Sequence, residues 1–133
     1  MNSCKACGSA SVRERSAREG LRYKGQDIDV PVAFSVCDVC GDEFLATDQI
    51  RLNDRAVVAA KRKADGLLSP DEVKEARHAL GLNQEQAALL FGGGRNAFSK
   101  YERGEVAQSV AMDRLIRVYR AHPELIDELH ASV

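Results

Sequence analysis

The chain of 133 residues contains no tryptophan, and its aromatic fraction is 5%. Platforms for single-stranded nucleic acid are built from stacked aromatic faces, so that binding class is disfavoured. No apolar run approaches the roughly 20 residues of a membrane span. Met-Asn-Ser leads straight into a cysteine pair, with neither a basic n-region nor an apolar h-region. The expectation is a cytoplasmic protein whose thiols stay reduced and available to metal. Net charge is -1, so any basic surface has to be local. His78, His122 and His130 show no ligand spacing and no pairing with a nucleophile, and no enzymatic activity is expected. A 44% apolar fraction excludes a disordered chain, and the length fits one ordinary domain or two small ones.

What is present is a pair of knuckles. The four cysteines stand as Cys4-Lys-Ala-Cys7 and Cys37-Asp-Val-Cys40, and there are no others. Each pair can turn two sulfurs to one side, and two such turns supply the four thiolates of a closed tetrahedral zinc site. Gly8 and Gly41 follow the second cysteine of each pair, where a chain turning back around an ion needs positive φ. The expectation is one structural Zn2+ per chain, held by Cys4, Cys7, Cys37 and Cys40. Two structural disulfides and a redox or metal-sensing dithiol are the competing readings. The first asks a strained CxxC spacing to stabilise, and the second usually has a single pair at a helix start.

Residues 1–45 are short, polar and β-leaning. Leu21-Arg22-Tyr23 and Ile28-Asp29-Val30 flank a turn around Gly25, and Val32, Phe34 and Val36 alternate toward the second knuckle. So small a segment has little core, and metal binding worth on the order of 10–16 kcal/mol can hold it folded. Residues 46–68 predict a linker helix from Thr47 or Asp48 to Ala64. Lys61, Arg62 and Lys63 crowd its last turn, where helix-dipole placement explains them as well as phosphate contact does. Residues 69–133 predict about five helices. The first opens on a Ser69-Pro70-Asp71-Glu72 capping box and the second on Asn83. The fold class is therefore α+β, a small β zinc-binding domain followed by an all-helical domain.

Two short helices joined by a tight glycine turn follow the plan of a DNA-binding helix-turn-helix. A third helix, expected from about Arg95 to Glu102, turns Ala97, Phe98 and Tyr101 inward. Arg95, Asn96, Ser99, Lys100 and Arg103 fall on the opposite face. Asn can read an adenine edge and Lys or Arg a guanine edge, while Ser99, Arg103 and Gln84 suit phosphate. A solvated polar helix face is the bland alternative. Gly92-Gly93-Gly94 is no phosphate loop, since the lysine-serine pair of that motif is missing.

Leu82-Asn83-Gln84-Glu85-Gln86-Ala87-Ala88 with Tyr101-Glu102-Arg103-Gly104 resembles the lambda-repressor-like helix-turn-helix family. More specific is the run from Phe91 to Glu102, together with His122-Pro123-Glu124-Leu125 and the paired knuckles. This combination, covering nearly the whole chain, resembles the MqsA-type antitoxins, partners of ribonuclease toxins. The resemblance implies zinc at the four cysteines and toxin binding by the N-terminal half. It also implies a homodimer through the C-terminal domain that represses its own operon at a palindrome. It casts Asn96 and Lys100 as the base-contacting pair. Relatives often carry arginine at the position of Lys100, and lysine makes the guanine contact less rigidly. A stand-alone regulator of the same build is the alternative function, and a dithiol oxidoreductase a distant third.

Overall fold

The computed structural model describes residues 3–132. The chain divides into two compact units at Ala60 and Lys61. The first holds a three-stranded antiparallel sheet in the order β1-β2-β3. Strand β1, Val12–Tyr23, and strand β2, Gln26–Cys37, pair along their whole length, and β3, Glu43–Phe44, adds two residues beside β2. Lys24 and Gly25 both have positive φ, 49° and 78°. That is the turn whose twist matches a two-residue hairpin, and it fixes the register Tyr23 opposite Gln26. The ribbon is much longer than the short strands expected around this turn. Arg13 through Gly20 are exposed on both faces, so no apolar alternation marks them. They are strand because of their backbone ladder to β2.

Helix α1, Thr47–Ala64, carries Asp48 in its first turn and Lys61, Arg62 and Lys63 in its last, each sign suited to the dipole there. Buried Gln49 ties its start to the sheet, accepting from Ser35 Oγ and from the Ala46 N–H, both at 2.9 Å. Asn53 then donates to the Ala33 carbonyl at 2.9 Å and accepts from its N–H at 2.8 Å. An amide side chain thus stands where a strand would bond to β2.

In the second unit, α2 (Pro70–Ala79) begins on a complete Ser69–Glu72 capping box with proline in the first turn. Helix α3 (Gln84–Phe91) begins on another, Asn83 with Gln86. Helix α4 spans Ala97–Arg103, and α5, Val110–Ala121, is capped by Ser109. A single 3-10 turn, Pro123–Leu125, leads into α6, Ile126–Ser132. The core gathers Leu68, Val73, Ala76, Leu82, Ala87, Leu90, Phe91, Phe98, Tyr101 and Ile116. Phe91, Phe98, Tyr101 and Tyr119 meet in tilted and edge-on pairs with centroids 5.4–5.8 Å apart, the arrangement ring quadrupoles favour.

Two buried polar ties hold the helices in place. Arg77 of α2 makes a two-pronged pair with Glu102 of α4, both contacts at 2.8 Å, and donates to the Leu82 carbonyl at 2.9 Å. Arg62, the middle member of the basic cluster, is buried and donates to the carbonyls of Leu68 (2.6 Å) and Tyr101 (3.1 Å) and to Gln108 Oε1. Gln108 passes the network to Asp113, which accepts also from the Leu68 N–H and from Arg117. Among the described residues no buried side-chain nitrogen or oxygen lacks a partner.

A candidate metal centre and a candidate nucleic-acid interface

The two knuckles have the same construction. In the first, the Gly8 N–H returns to the Cys4 carbonyl at 2.7 Å. In the second, the Gly41 N–H returns to the Cys37 carbonyl at 2.9 Å. Gly8 and Gly41 have φ of 78° and 77°, which L side chains rarely adopt. The Cys4 N–H bonds to Ser9 and the Cys37 N–H to Asp42, which closes each loop. The ribbon carries the second knuckle to the first, since Val12 lies opposite Cys37.

All four sulfurs lie within 4.8 Å of one another, with Cys4–Cys40 at 3.6 Å and Cys7–Cys37 at 3.5 Å. A tetrahedral ion with metal–sulfur bonds near ~2.3 Å requires sulfurs about 3.8 Å apart. The cage fits. Cys4 and Cys37 are buried, while Cys7 and Cys40 face solvent.

The electrostatics point the same way. The N–H of Cys40 stabilises the Cys37 thiolate and brings its pKa down to about 7. Cys40 takes a similar bond from Asp42, but the sulfur of Cys4, burial and the remaining two thiols outweigh it and push Cys40 up to about 12. Four thiolates this close repel one another until a cation sits among them. Among the described residues no other group of three or more Cys, His, Asp or Glu side chains gathers in this way.

The second site is the exposed side of α4. Its inner face is Ala97, Phe98 and Tyr101, all buried as the sequence predicts. The helix starts two residues later than expected, so Arg95 and Asn96 precede it. Gly92, Gly93 and Gly94 all have φ near 90°, and the chain turns on through Arg95 and Asn96 before the helix begins. A Cβ on Gly93 would come within 3.2 Å of Ala97 Cβ and of the Tyr101 hydroxyl.

Asn96 stands at the N-cap yet makes no side-chain capping bond, and it is exposed. One turn on, the Lys100 N–H bonds to the Asn96 carbonyl at 3.1 Å, which puts the exposed Lys100 on the same side. Around this pair, exposed Arg95 reaches Glu85 at 3.4 Å and Arg103 reaches Glu105 at 3.2 Å. Ser99 is half-buried. Gln84 of α3 donates to Glu102 at 3.4 Å, so one carboxylate positions both Arg77 and Gln84 against α4. The histidines stay apart. His78 lies against Arg77, His122 pairs with Glu124, and His130 is exposed.

Sequence reasoning missed Arg62, Arg77, Glu102, Gln108 and Asp113. Arg62, Arg77, Glu102 and Asp113 read as surface polar residues on their helices and Gln108 as a polar loop residue before α5, and Arg62 is masked by its charged neighbours. The Tyr-Glu-Arg-Gly run held the one available signal, an acid between buried Tyr101 and the helix end.

No described helix is long and apolar enough to cross a membrane. The family model for the antitoxin component of a bacterial toxin–antitoxin system, MqsA, matches residues 1–130. Antitoxin MqsA of Escherichia coli strain K12 is 40% identical over 62 residues, 47% of this chain and 47% of that protein. The chain thus aligns with about half the length of this curated relative. It belongs to the MqsA antitoxin family.

Proposed function

We propose that this member of the MqsA antitoxin family is a zinc-stabilised DNA-binding repressor of the cytoplasm. It neutralises a ribonuclease toxin with its N-terminal half and represses its own operon with its C-terminal half. The four thiolates hold one Zn2+ whose role is structural. The ion supplies the counter-charge that lets the sulfurs ionise together and a cross-link for a unit with little apolar core.

The observation that carries the DNA reading is the two-sidedness of α4. Phe98 and Tyr101 are locked in the core while Asn96 and Lys100, one turn apart, stay exposed, and the Asn96 side chain makes no capping bond. A helix so placed can enter a major groove. Asn96 then offers the donor and acceptor an adenine edge requires, and Lys100 a cation to guanine O6 and N7. Ser99, Arg103, Arg95 and the remaining amide N–H of Gln84 serve the flanking phosphates.

So short a reader covers only a few base pairs, and specificity calls for two copies on a palindrome about one turn, ~34 Å, apart. Val106, Val110, Val118 and Leu125 are exposed apolar side chains from the loop before α5 onward, and they suit an isologous homodimer contact through the C-terminal domain. The toxin assignment rests on the family alone.

Asn96→Ala tests the DNA reading. It is expected to weaken specific binding by roughly 1–3 kcal/mol and to relax preference at one base pair per half-site. Zinc content and thermal stability should not change. An operator affinity and base preference equal to wild type would remove α4 as the reader.

A further inference from the structure

The outer edge of β1 is unlike the outer edge of β2. Tyr23 and Gln26, flanking the two-residue turn, form a mutually hydrogen-bonded pair, and pairs alternate from there. Odd-numbered residues of β1 therefore bond to β2. Glu14, Ser16, Arg18, Gly20 and Arg22 aim their N–H and C=O groups outward. The same alternation aims Pro31, Ala33 and Ser35 away from β1 on the other side of the ribbon, and Asn53 reaching both backbone groups of Ala33 agrees with it.

That second edge is guarded. Pro31 has no N–H to offer, Asn53 occupies Ala33, and β3 covers Ser35. No proline interrupts β1, and among the described residues no strand pairs with its outer side. A long regular edge of this kind is a template for another strand.

The charges along it select the strand. Consider a second copy of β1 laid antiparallel with the two-fold axis at Ser16, so that outward groups meet outward groups. Glu14 then faces Arg18 of the second copy, and Arg13 faces Glu19 of the second copy, each contact occurring twice by symmetry. Arg15 faces Ala17. Moving the axis to Arg15, Arg18 or Glu19 sets that residue against its own copy, a like-charge pair. An axis at Ala17 keeps only the Arg15–Glu19 contact. Opposite charges directly across antiparallel strands stabilise and like charges destabilise, so the Ser16 register stands out. Arg13 already pairs with Asp38 through Nε at 2.5 Å, which leaves its terminal nitrogens for Glu19.

We propose that the outer edge of β1 is a self-recognition surface, at which two copies of this chain join their ribbons antiparallel about Ser16 into one continuous sheet. This contact is separate from the dimer proposed for the C-terminal domain and does not rest on it.

The test is backbone amide exchange followed by NMR on the full-length, zinc-loaded protein at about 0.5 mM, a concentration at which weak strand pairing is populated. The amides of Glu14, Ser16 and Arg18 are expected to exchange at least about tenfold more slowly in wild type than in Arg18→Glu, which places two acids face to face. Arg15, Ala17 and Glu19, bonded to β2, serve as internal controls and should be equally protected in both. Glu14→Arg combined with Arg18→Glu restores opposite signs in the same register and should restore protection. Outward amides that exchange at free-chain rates in wild type would overturn the proposal. So would a double variant left unprotected, or protection that appears only when a different protein is added. A change in solution mass without this protection would belong to the C-terminal contact alone.

Discussion

Replacing Arg62 puts the largest hidden claim of the second unit at risk. The residue is 2% exposed. Burial pushes its pKa below the ordinary arginine value, with Asp113 acting against the shift, and the guanidinium remains charged. Arg62→Met keeps most of the stem and removes the fork. Leu68 O would still accept from Gln108 at 3.1 Å, and Tyr101 O from the Gly104 N–H at 3.2 Å. Gln108 Oε1 would have no donor. One orphaned buried acceptor costs roughly 1–3 kcal/mol, and two lost bonds from a charged donor add to it. Relief of the buried cation offsets part of this. The expected loss for methionine is about 2–4 kcal/mol. Arg62→Ala removes further buried methylenes worth about 0.8 kcal/mol each and should lose about 4–6 kcal/mol, a large part of a domain's usual 5–15 kcal/mol. Urea unfolding monitored by the helical circular dichroism signal measures both, with an unchanged urea slope expected. Lysine should fall between methionine and wild type, because one ammonium cannot span three acceptors held in a fork. If Arg62→Met proves within about 0.5 kcal/mol of wild type, desolvation cancels the network and Arg62 does not hold the helices.

Cys37→Ser is expected to abolish stoichiometric zinc and unfold the first unit while the helical signal of α2 to α6 survives. Reduced, folded wild-type protein with no metal and four freely reactive thiols would contradict the cage. Phe98→Ala should destabilise the second unit by roughly 3–5 kcal/mol, since the ring touches Phe91 and Tyr101 and is 1% exposed; zinc content should stay at one per chain. Asp113 contributes to stability in acid. Burial alone would raise its pKa, but the Leu68 N–H, Gln108 and Arg117 hold it below the usual carboxylate value. Its stabilisation is therefore fully present above the unfolded value near ~4 and is lost as pH falls through the lower folded value. Thermal melts of Asp113→Asn should accordingly lose less stability than wild type as pH falls below about 4.

The parts of the fold that were legible in the sequence are those fixed by local chemistry. Ser69 with Glu72, and Asn83, each cap the helix they were expected to start. The cysteine spacing anticipated a cluster that the sulfurs do form. Legibility failed where structure depends on partners distant in sequence. Strand β1 looks like a charged loop until β2 lies beside it. Arg62 looks like a helix-end cation, because its acceptors are 6, 39 and 46 residues away. The start of α4 was misplaced for a different reason. The polar pattern takes in Arg95 and Asn96, and nothing in it marks Asn96, at φ -100° and ψ 7°, as the residue before the helix rather than its first turn.

The two units solve the problem of small size in different ways, and each solution shapes what its surface can do. In the first, the sheet has few apolar residues to bury, and a metal-sized thiolate cage stands in for a core. Side chains along β1 are thereby released from packing duty and can carry a charge pattern chosen for recognition. In the second, the space between helices is filled by aromatic rings and two buried arginines. Arg62 and Arg77 both act on α4, one at the Tyr101 carbonyl and the other at the Glu102 carboxylate. A helix with one face buried and its last turn anchored at Tyr101 and Glu102 loses little further freedom on entering a groove, and lower ordering entropy leaves more of each contact as affinity. By that reasoning Arg77→Met should weaken operator binding even where the domain remains folded, because Glu102 of α4 loses its two-pronged tie to α2. Binding measured well below the melting temperature decides it. Affinity and base preference equal to wild type would mean that the ion pair serves stability alone.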